Sequence, residues 1–334
     1  MKPTKLLLML TAVICLFVCS CSEDDDLSVA NVVYINDNGE ASNGADFVAI
    51  DSTNIYLDHI KYRLLPSNDE KKYRSYMFVS GYDKEKFTGN ESIVSLMSYK
   101  GKTYITRSID YDAFKDCKKL TRLVIPDSLR IVQGSSFQNC TELVSIIVSP
   151  ANPYLDSRNN CNAVIDTKKN ELTCGCKTTV IPNSVVSIGQ GAFYGFEWLT
   201  SLEIPNSVTS IGGFAYGLCN GLTEIEIPNS VRIIGSRAFA GCRNVTTITI
   251  GENVEEIGSY AFNTSSIPQS IHCKAMTPPL CMSGNDIWDG VFDPDAYNLS
   301  TLYIPKGTMD AYKNSLNYYK TFSDWGRFKN IVEE

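Results

Sequence analysis

The sequence predicts a solenoid built from short parallel strands and loops that repeat every 23 residues. The segment Ile-Pro-Asn-Ser-Val occurs at residues 181–185, 204–208 and 227–231, and the variant Ile-Pro-Asp-Ser-Leu occurs at 125–129. The three full copies start 23 residues apart, and periods of roughly 20–29 residues are typical of stacked supersecondary units. Stacked coils usually present a surface and seldom enclose a pocket, so this pattern disfavours an enzyme.

The first residues have the composition of an export signal. Lys2 and Lys5 precede an apolar run over residues 6–18, which is too short to cross a bilayer as a helix. The run ends in Val-Cys-Ser-Cys, which resembles a bacterial lipobox and implies that Cys21 is lipidated. An ordinary signal peptide with chance cysteines is the alternative. We assign residues 1–20 to a lipoprotein signal peptide.

An acidic run, Ser-Glu-Asp-Asp-Asp, follows the lipidation candidate, and we assign residues 21–26 to the lipidated cysteine and an acidic tether. Such a run is most often a solvated tether, but beside a lipidated cysteine it also resembles the export tag of surface lipoproteins in anaerobic Gram-negative bacteria. We therefore expect an outer membrane lipoprotein that touches the membrane only through its lipid anchor. The cell-surface side is favoured over the periplasmic side.

Composition argues against several functional classes. The net charge is −7 and no Lys/Arg-rich stripe is present, so a nucleic-acid partner is not expected. The chain has two histidines, no zinc-ligand spacing and none of the common hydrolase motifs, so we predict no catalytic residue, no metal and no cofactor. A polar loop, with calcium binding as the alternative, is expected around an acidic group comprising Asp286, Asp289, Asp293 and Asp295.

One coil can be read from residues 199–221. Leu202 and Ile204 share one parity and point inward from a short strand, which Pro205 ends. Gly212 follows the next buried aliphatic residue, where we expect positive φ. An aromatic residue closes each coil, five positions after a branched aliphatic residue, at Phe114, Phe137, Phe193, Tyr216, Phe239 and Phe262.

Cysteines occupy the position three residues after four of these aromatics: Cys117, Cys140, Cys219 and Cys242. We favour free, buried thiols that stack from coil to coil, because Phe196 and Ser265 fill the same position elsewhere. Neighbouring strands lie about 4.8 Å apart, so a disulfide between Cys117 and Cys140, or between Cys219 and Cys242, remains an alternative.

The regions outside the regular repeats are expected to differ from them. Residues 27–98 are predicted to form an N-terminal β cap with strands at 62–65 and 76–79. Repeats follow over 99–273, interrupted at about 150–176 by a small hairpin that projects from the coils. Residues 274–334 are predicted to form a degenerate repeat and a C-terminal cap. In this cap we expect a short helix within 310–319 and a covering cluster of Phe322, Trp325 and Phe328.

These repeats resemble the BspA-like leucine-rich repeat family of bacterial surface proteins. The match lies in Leu-Thr-Ser-Leu-Glu-Ile-Pro-Asn-Ser-Val-Thr-Ser-Ile-Gly at 199–212 and in Ile-Gly-Ser-Arg-Ala-Phe-Ala-Gly-Cys at 234–242. The resemblance implies an α/β-type leucine-rich repeat solenoid on the cell surface, without catalytic residues. Some members of the family are adhesins for host matrix proteins, so adhesion is expected by analogy with the family.

A ligand-binding face is predicted on outward strand positions. Its candidate residues are Arg122, Ser201, Glu203, Glu224, Glu226, Thr247, Thr249 and Tyr303. The expected partner is an extracellular or host protein, such as a matrix protein, or a polysaccharide. Glu203 and Glu226 are expected to be lateral neighbours whose carboxylates are solvated. Glycan capture in nutrient uptake is the alternative function, with Trp198 and Trp288 as candidate stacking residues unless they are core or cap residues.

Overall fold

The computed structural model describes residues 32–36, 38–66, 75–84, 89–282, 290–317 and 324–334. Asn31–Glu334 forms one compact unit. Among the described residues, no helix has the length and apolar composition that a membrane crossing needs. The predicted signal peptide, Cys21 and the acidic run lie outside the described residues, so their assignment stays a prediction.

The first eight strands precede the regular repeats. They are β1 (Val32–Tyr34), β2 (Phe47–Ala49), β3 (Asn54–Leu57), β4 (Ile60–Leu65), β5 (Ser75–Tyr82), β6 (Asn90–Ser92), β7 (Leu96–Tyr99) and β8 (Lys102–Ile109). Seven of them form a sheet in the order β1-β7-β8-β5-β4-β3-β2, and β6 pairs elsewhere. The strands predicted from the sequence at 62–65 and 76–79 lie within β4 and β5, which pair antiparallel.

Alternation in β4 explains how this sheet joins the core. Ile60, Tyr62 and Leu64 are buried, while the residues between them are more exposed. The sheet then continues into the repeats, because β10 (Ile131–Val132) pairs in parallel with β8. The N-terminal strands and the first coil therefore share one hydrogen-bonded ladder.

Most complete coils contribute one strand before the Pro-containing turn and one strand after it. The remaining strands are β9 (Arg122–Ile125), β11 (Ser145–Val148), β12 (Leu155–Asp156), β13 (Val164–Asp166), β14 (Glu171–Cys174), β15 (Ser187–Ile188), β16 (Ser210–Ile211), β17 (Glu224–Glu226), β18 (Ile233–Ile234), β19 (Thr247–Ile250), β20 (Glu256–Gly258), β21 (Ser270–Cys273), β22 (Leu280–Met282), β23 (Thr301–Ile304) and β24 (Asn330–Glu333). They form sheets ordered β6-β9-β11, β12-β13-β14-β15-β16-β18-β20-β22 and β17-β19-β21-β23-β24.

Parallel register places equivalent residues of successive coils side by side. Ser187 pairs with Ser210, and Glu224 pairs with Thr247, so each of these pairs joins positions 23 residues apart. The inward residues of the second ladder, Ile225 and Ile248, are at most 1% exposed. Each fully buried aliphatic side chain contributes about 1.5–3 kcal/mol, and it does so only when the neighbouring coil covers it.

The aromatic residues of successive coils stack face to face. Ring centroids are 5.1 Å apart for Phe193 and Tyr216, 5.3 Å for Tyr216 and Phe239, and 5.5 Å for Phe239 and Phe262. The structure extends this aromatic ladder to Phe292, whose ring lies 5.6 Å from that of Phe262. Such pairs add about 0.5–1.5 kcal/mol each beyond burial of their surface.

The cysteine positions form a second ladder, made of hydrogen bonds. The thiols of Cys140, Cys219 and Cys242 each donate to the carbonyl oxygen of the aromatic residue in the preceding coil, at 3.0, 3.2 and 3.1 Å. All nine cysteines within the described residues are free and buried. Cys140, Cys219 and Cys242 therefore serve as small packing residues, and the thiol of each donates one hydrogen bond.

Gly212 is required by close packing and not by positive φ, contrary to the expectation from the sequence. A Cβ atom on this residue would lie 2.7 Å from the backbone nitrogen of Gln190 in the preceding coil. The equivalent Gly235 and Gly258 would place Cβ atoms 2.5 and 2.3 Å from backbone nitrogens of their preceding coils. Glycine thus permits adjacent coils to approach each other at this corner.

The hairpin predicted at about 150–176 forms, but it does not project from the coils. β13 and β14 pair antiparallel, and β14 then pairs in parallel with β15. Val164, Ile165 and Leu172 are fully buried. The hairpin is therefore an internal part of the eight-stranded sheet, because its apolar residues complete the core.

Asn152 anchors the start of this inserted segment. Its side-chain nitrogen donates to the carbonyl oxygens of Pro126 and Leu129 at 2.7 and 2.9 Å. Its side-chain oxygen accepts from the backbone nitrogens of Tyr154 and Leu155 at 2.8 and 2.9 Å. One buried side-chain amide thus satisfies four backbone groups where the coil departs from its period.

The strand predicted at Leu202 and Ile204 is absent, which corrects the expectation for this coil. No strand is assigned to residues 199–205, and both side chains are only half-buried. Phe196 takes the usual cysteine position, and its ring lies 5.1 Å from that of Trp198. The preceding coil likewise forms no strand before its Pro-containing turn, so the five-stranded sheet begins only at β17.

The C-terminal segment closes the core with two short helices, α1 (Ala296–Leu299) and α2 (Met309–Lys313). Helix α2 is shorter than the predicted 310–319 segment. Trp325 and Phe328 are buried as predicted, and the Trp325 indole nitrogen donates to the carbonyl oxygen of Pro279 at 2.8 Å. Phe322 lies outside the described residues.

Candidate functional site

The five-stranded sheet exposes one face, which we call the outer face. Its inward residues, such as Ile248 and Ile271, are buried, so the alternating residues between them point away from the core. Parallel register arranges the outward residues in two rows across the strands. The rows are Glu224, Thr247, Ser270, Thr301 and Asn330, and Glu226, Thr249, His272, Tyr303 and Val332.

His272 and Tyr303 form an ordered aromatic pair in the second row. Their rings are nearly parallel, at an angle of 6°, with centroids 4.4 Å apart. The His272 Nδ1 atom lies 2.9 Å from the Glu334 Oε1 atom, which fixes the orientation of the imidazole. Because His272 lies on β21 and Tyr303 on β23, the sheet fixes the relative position of the two rings.

A polar depression of about 480 Å³ adjoins the outer face where β17 and β21 end. Its lining includes a carboxylate, several side-chain amides and an ammonium group, from Glu226, Asn206, Asn229, Asn253 and Lys274. Asn253 donates to the Asn229 carbonyl oxygen at 2.9 Å, so the turns that line the depression are tied together. The depression offers both hydrogen-bond donors and hydrogen-bond acceptors, and it has no enclosed space for catalysis.

The structure groups five of the eight predicted ligand-binding residues. Glu224, Glu226, Thr247, Thr249 and Tyr303 all lie on the outer face of the five-stranded sheet. This grouping follows from their position in the repeat, since residues 23 apart become lateral neighbours.

The other three predicted residues lie elsewhere. Arg122 is on β9, in the separate three-stranded sheet. Ser201 and Glu203 are exposed but belong to the segment that forms no strand, so the predicted pairing of Glu203 with Glu226 is wrong. The neighbour of Glu226 across the ladder is Thr249. The sequence-based expectation extended the period through a coil that forms no strand at this position.

No group of three or more potential metal-ligating side chains occurs within the part of the chain that the structure describes. Of the predicted acidic group, Asp286 and Asp289 lie outside the described residues, as does Trp288. The described Asp293 accepts a hydrogen bond from the backbone nitrogen of Asp295 at 3.0 Å, at the start of α1.

The buried thiols are poorly suited to act as nucleophiles. Burial raises the pKa of Cys242 to about 12 and that of Cys117 to about 11. At neutral pH both side chains are therefore protonated, and the thiolate is the reactive form of cysteine.

Sequence reasoning missed His272, Asn229, Asn253 and Lys274. His272 was within reach, because residues 271–273 match the repeat register and an outward residue must precede Cys273. The two asparagines and the lysine belong to turns, and only the folded structure shows that they line one depression.

The repeat profile described as BspA type leucine rich repeat region matches residues 73–163 and 170–277 in six copies, which is more than half of the chain. This chain belongs to the BspA-type leucine-rich repeat family. Leucine-rich repeat proteins generally bind other proteins and are typically non-enzymatic. The gap between the matched regions falls within the inserted hairpin.

Several solved structures of leucine-rich repeat and surface proteins are similar to this chain. A leucine-rich repeat protein from Bacteroides ovatus is 23% identical over 75% of this BspA-type chain and 60% of its own length, with a TM-score of 0.36. The pneumococcal vaccine antigen PcpA is 13% identical over 84% of this chain and 98% of its own, with a TM-score of 0.41. A leucine rich cell surface protein from Faecalibacterium prausnitzii is 17% identical over 86% and 96%, with a TM-score of 0.33. No functionally curated protein matches.

Proposed function

We propose that this protein is a surface-anchored, non-enzymatic binding protein that recognises an extracellular or host macromolecule through the outer face. The observation that carries the proposal is the preorganised double row of outward side chains on the five-stranded sheet. Hydroxyl, carboxylate, imidazole and phenol groups alternate there on a rigid backbone. Such a surface can make many specific contacts at a small cost in conformational entropy.

Adhesion to a host protein such as a matrix protein is the specific role we favour. The family consists of bacterial surface proteins, and the predicted lipidation of Cys21 would hold this chain at the outer membrane, facing outward. An anchor at the N-terminus leaves the repeats free to meet large ligands, which a small enclosed pocket could not accommodate.

Glycan capture is the second candidate function. The parallel rings of His272 and Tyr303, beside a depression lined with amides, favour it, because sugar rings pack against aromatic side chains and bond to amides. Trp198 does not favour it, since the Trp198 ring packs on the buried Phe196.

A binding panel tests the proposal and separates the two candidates. The chain from residue 27 onwards would be immobilised and exposed to extracellular matrix proteins and, in parallel, to a polysaccharide array. We expect saturable binding to at least one protein of the panel, and loss of that binding when Glu226 and Thr249 are replaced together. Binding that survives this double replacement would assign recognition to another surface.

Localisation can be tested separately. We expect protease treatment of intact cells to remove the protein, and Cys21→Ala to release it from the membrane fraction. Membrane retention of the C21A variant would contradict the proposed lipid anchor.

A further inference from the structure

On the outer face, the side chains of β19 are shorter than those of Glu224, Glu226 and His272 on the strands beside it, and we call the space above β19 the groove. Its floor is Thr247 and Thr249, which are half-buried, and one of its walls is formed by the exposed Glu224 and Glu226 on β17. The opposite wall includes His272 on β21. Threonine is shorter than glutamate and histidine, so the middle strand lies lower than the strands on both sides.

The two faces of the His272 ring have different neighbours. Tyr303 stacks on one face of the imidazole, and Glu334 holds the Nδ1 atom. The other face lies on the side of Thr249, the neighbour of His272 in the row. Strands β17 and β21 flank β19 and are therefore two strand spacings apart, or about 9.6 Å. A planar group that stacks on the imidazole, at about 3.5–4 Å, turns its second face toward β17. The Glu226 side chain has three rotatable bonds and can bend to place its carboxylate beside the edge of such a group.

The charge of the groove is negative. Neither Glu224 nor Glu226 takes part in an ion pair with another described residue. Lys274 is the cationic side chain that lines the adjoining depression, and His272 is already paired with Glu334. Two carboxylates facing one ammonium group leave an excess of negative charge, so a cationic ligand complements this surface.

We propose that this groove binds an arginine side chain of an extended polypeptide partner, with the guanidinium between His272 and Glu226. The inference rests on the proposed function and specifies the chemistry of the partner. A guanidinium is planar, stacks on aromatic rings and forms paired hydrogen bonds with a carboxylate, whereas an ammonium group cannot match this shape. The amides of Asn229 and Asn253 lie where they can bond to the partner's main chain.

Two five-residue peptides test this chemistry. The probes are acetyl-Gly-Ser-Arg-Ser-Gly-amide and the same peptide with citrulline, which keeps the shape of arginine and removes its charge. We expect NMR titration of the chain from residue 27 onwards to show binding of the arginine peptide at least about tenfold tighter. The shifted resonances should include those of Thr249 and His272.

Three variants define the site. Glu226→Gln should weaken binding of the arginine peptide about tenfold, and Thr249→Trp should abolish it by filling the groove. Glu256→Gln is the matched control, because Glu256 is exposed on β20 in the eight-stranded sheet, and it should change nothing. Thermal unfolding would verify that each variant folds. E226Q, which is nearly isosteric, keeps the test valid if T249W does not fold.

Several results would overturn the inference. They are equal affinity for arginine and citrulline, no measurable binding of the arginine peptide, and unchanged arginine binding by E226Q. The inference would also be overturned if the protein bound a polysaccharide and T249W abolished that binding, because the occupant of the groove would then be a glycan and not a polypeptide. In that case recognition through the outer face would stand, so failure of the arginine site is distinguishable from failure of the proposed function.

Discussion

Removing one ring from the aromatic ladder should destabilise the repeats by an amount that the structure sets. The Phe239 ring is fully buried between those of Tyr216 and Phe262, with centroid distances of 5.3 and 5.5 Å. Phe239→Ala removes both stacks and leaves a cavity, so we expect a loss of about 3–5 kcal/mol in the free energy of unfolding. Phe239→Leu keeps most of the buried volume, so its expected loss is that of two stacks, about 1–3 kcal/mol.

Urea unfolding followed by circular dichroism measures both losses. Leu299→Ala is the control, because Leu299 is 65% exposed and its truncation should change stability by less than about 0.5 kcal/mol. The comparison requires that the slope of the unfolding free energy against urea concentration be similar in all variants. If only part of the repeat array unfolded, this slope would be smaller. A loss below about 1 kcal/mol for F239A would refute the stacking argument.

Three further outcomes are expected. Asn152→Ala should cost about 2–4 kcal/mol in urea unfolding, because two buried carbonyl oxygens and two backbone nitrogens lose their partner; a loss near zero would remove its anchoring role. Cys242 should resist iodoacetamide at pH 8 until urea unfolds the chain, as mass spectrometry can show; rapid labelling of the folded protein would contradict its burial. Burial raises the pKa of Cys242 to about 12 from an ordinary value of 9, so between pH 9 and 12 the thiol ionises in the unfolded chain and stays neutral in the folded one. The free energy of unfolding should therefore fall as the pH rises through this range. The C242A variant should show a weaker pH dependence.

Sequence periodicity was sufficient for the regular coils. The spacing predicted that Phe193, Tyr216, Phe239 and Phe262 each close one coil. The structure stacks these rings on one another, since identical positions meet whenever successive coils have equal length. Phe292 escaped prediction because it follows Phe262 by thirty residues, although its ring continues the same stack.

Departures from the period required the folded structure. The hairpin of β13 and β14 was recognisable from its apolar runs and polar turn, but its burial depends on contacts with coils far away in sequence. The lost strand near Ile204 was not predictable either. The sequence there matches the repeat, and only the structure shows that this segment pairs with no neighbouring strand.

Part of the candidate site was also predictable. Alternation within strands identified Thr247 and Thr249 as outward residues, because their neighbours Ile248 and Ile250 are buried. The orientation of the His272 ring was not predictable, since it depends on Glu334, which is 62 residues away in sequence.

The register of the coils determines the outer face, and a disulfide test measures this register directly. The hydroxyl oxygens of Ser270 and Thr247 are 3.4 Å apart on adjacent strands. T247C combined with S270C should therefore form a disulfide under mild oxidation, detected by mass spectrometry. T247C combined with Thr301→Cys, two strands apart, should not, because its Cα atoms are separated by about 9.6 Å. Equal cross-linking of both pairs, or of the second pair alone, would contradict the stacked-coil register.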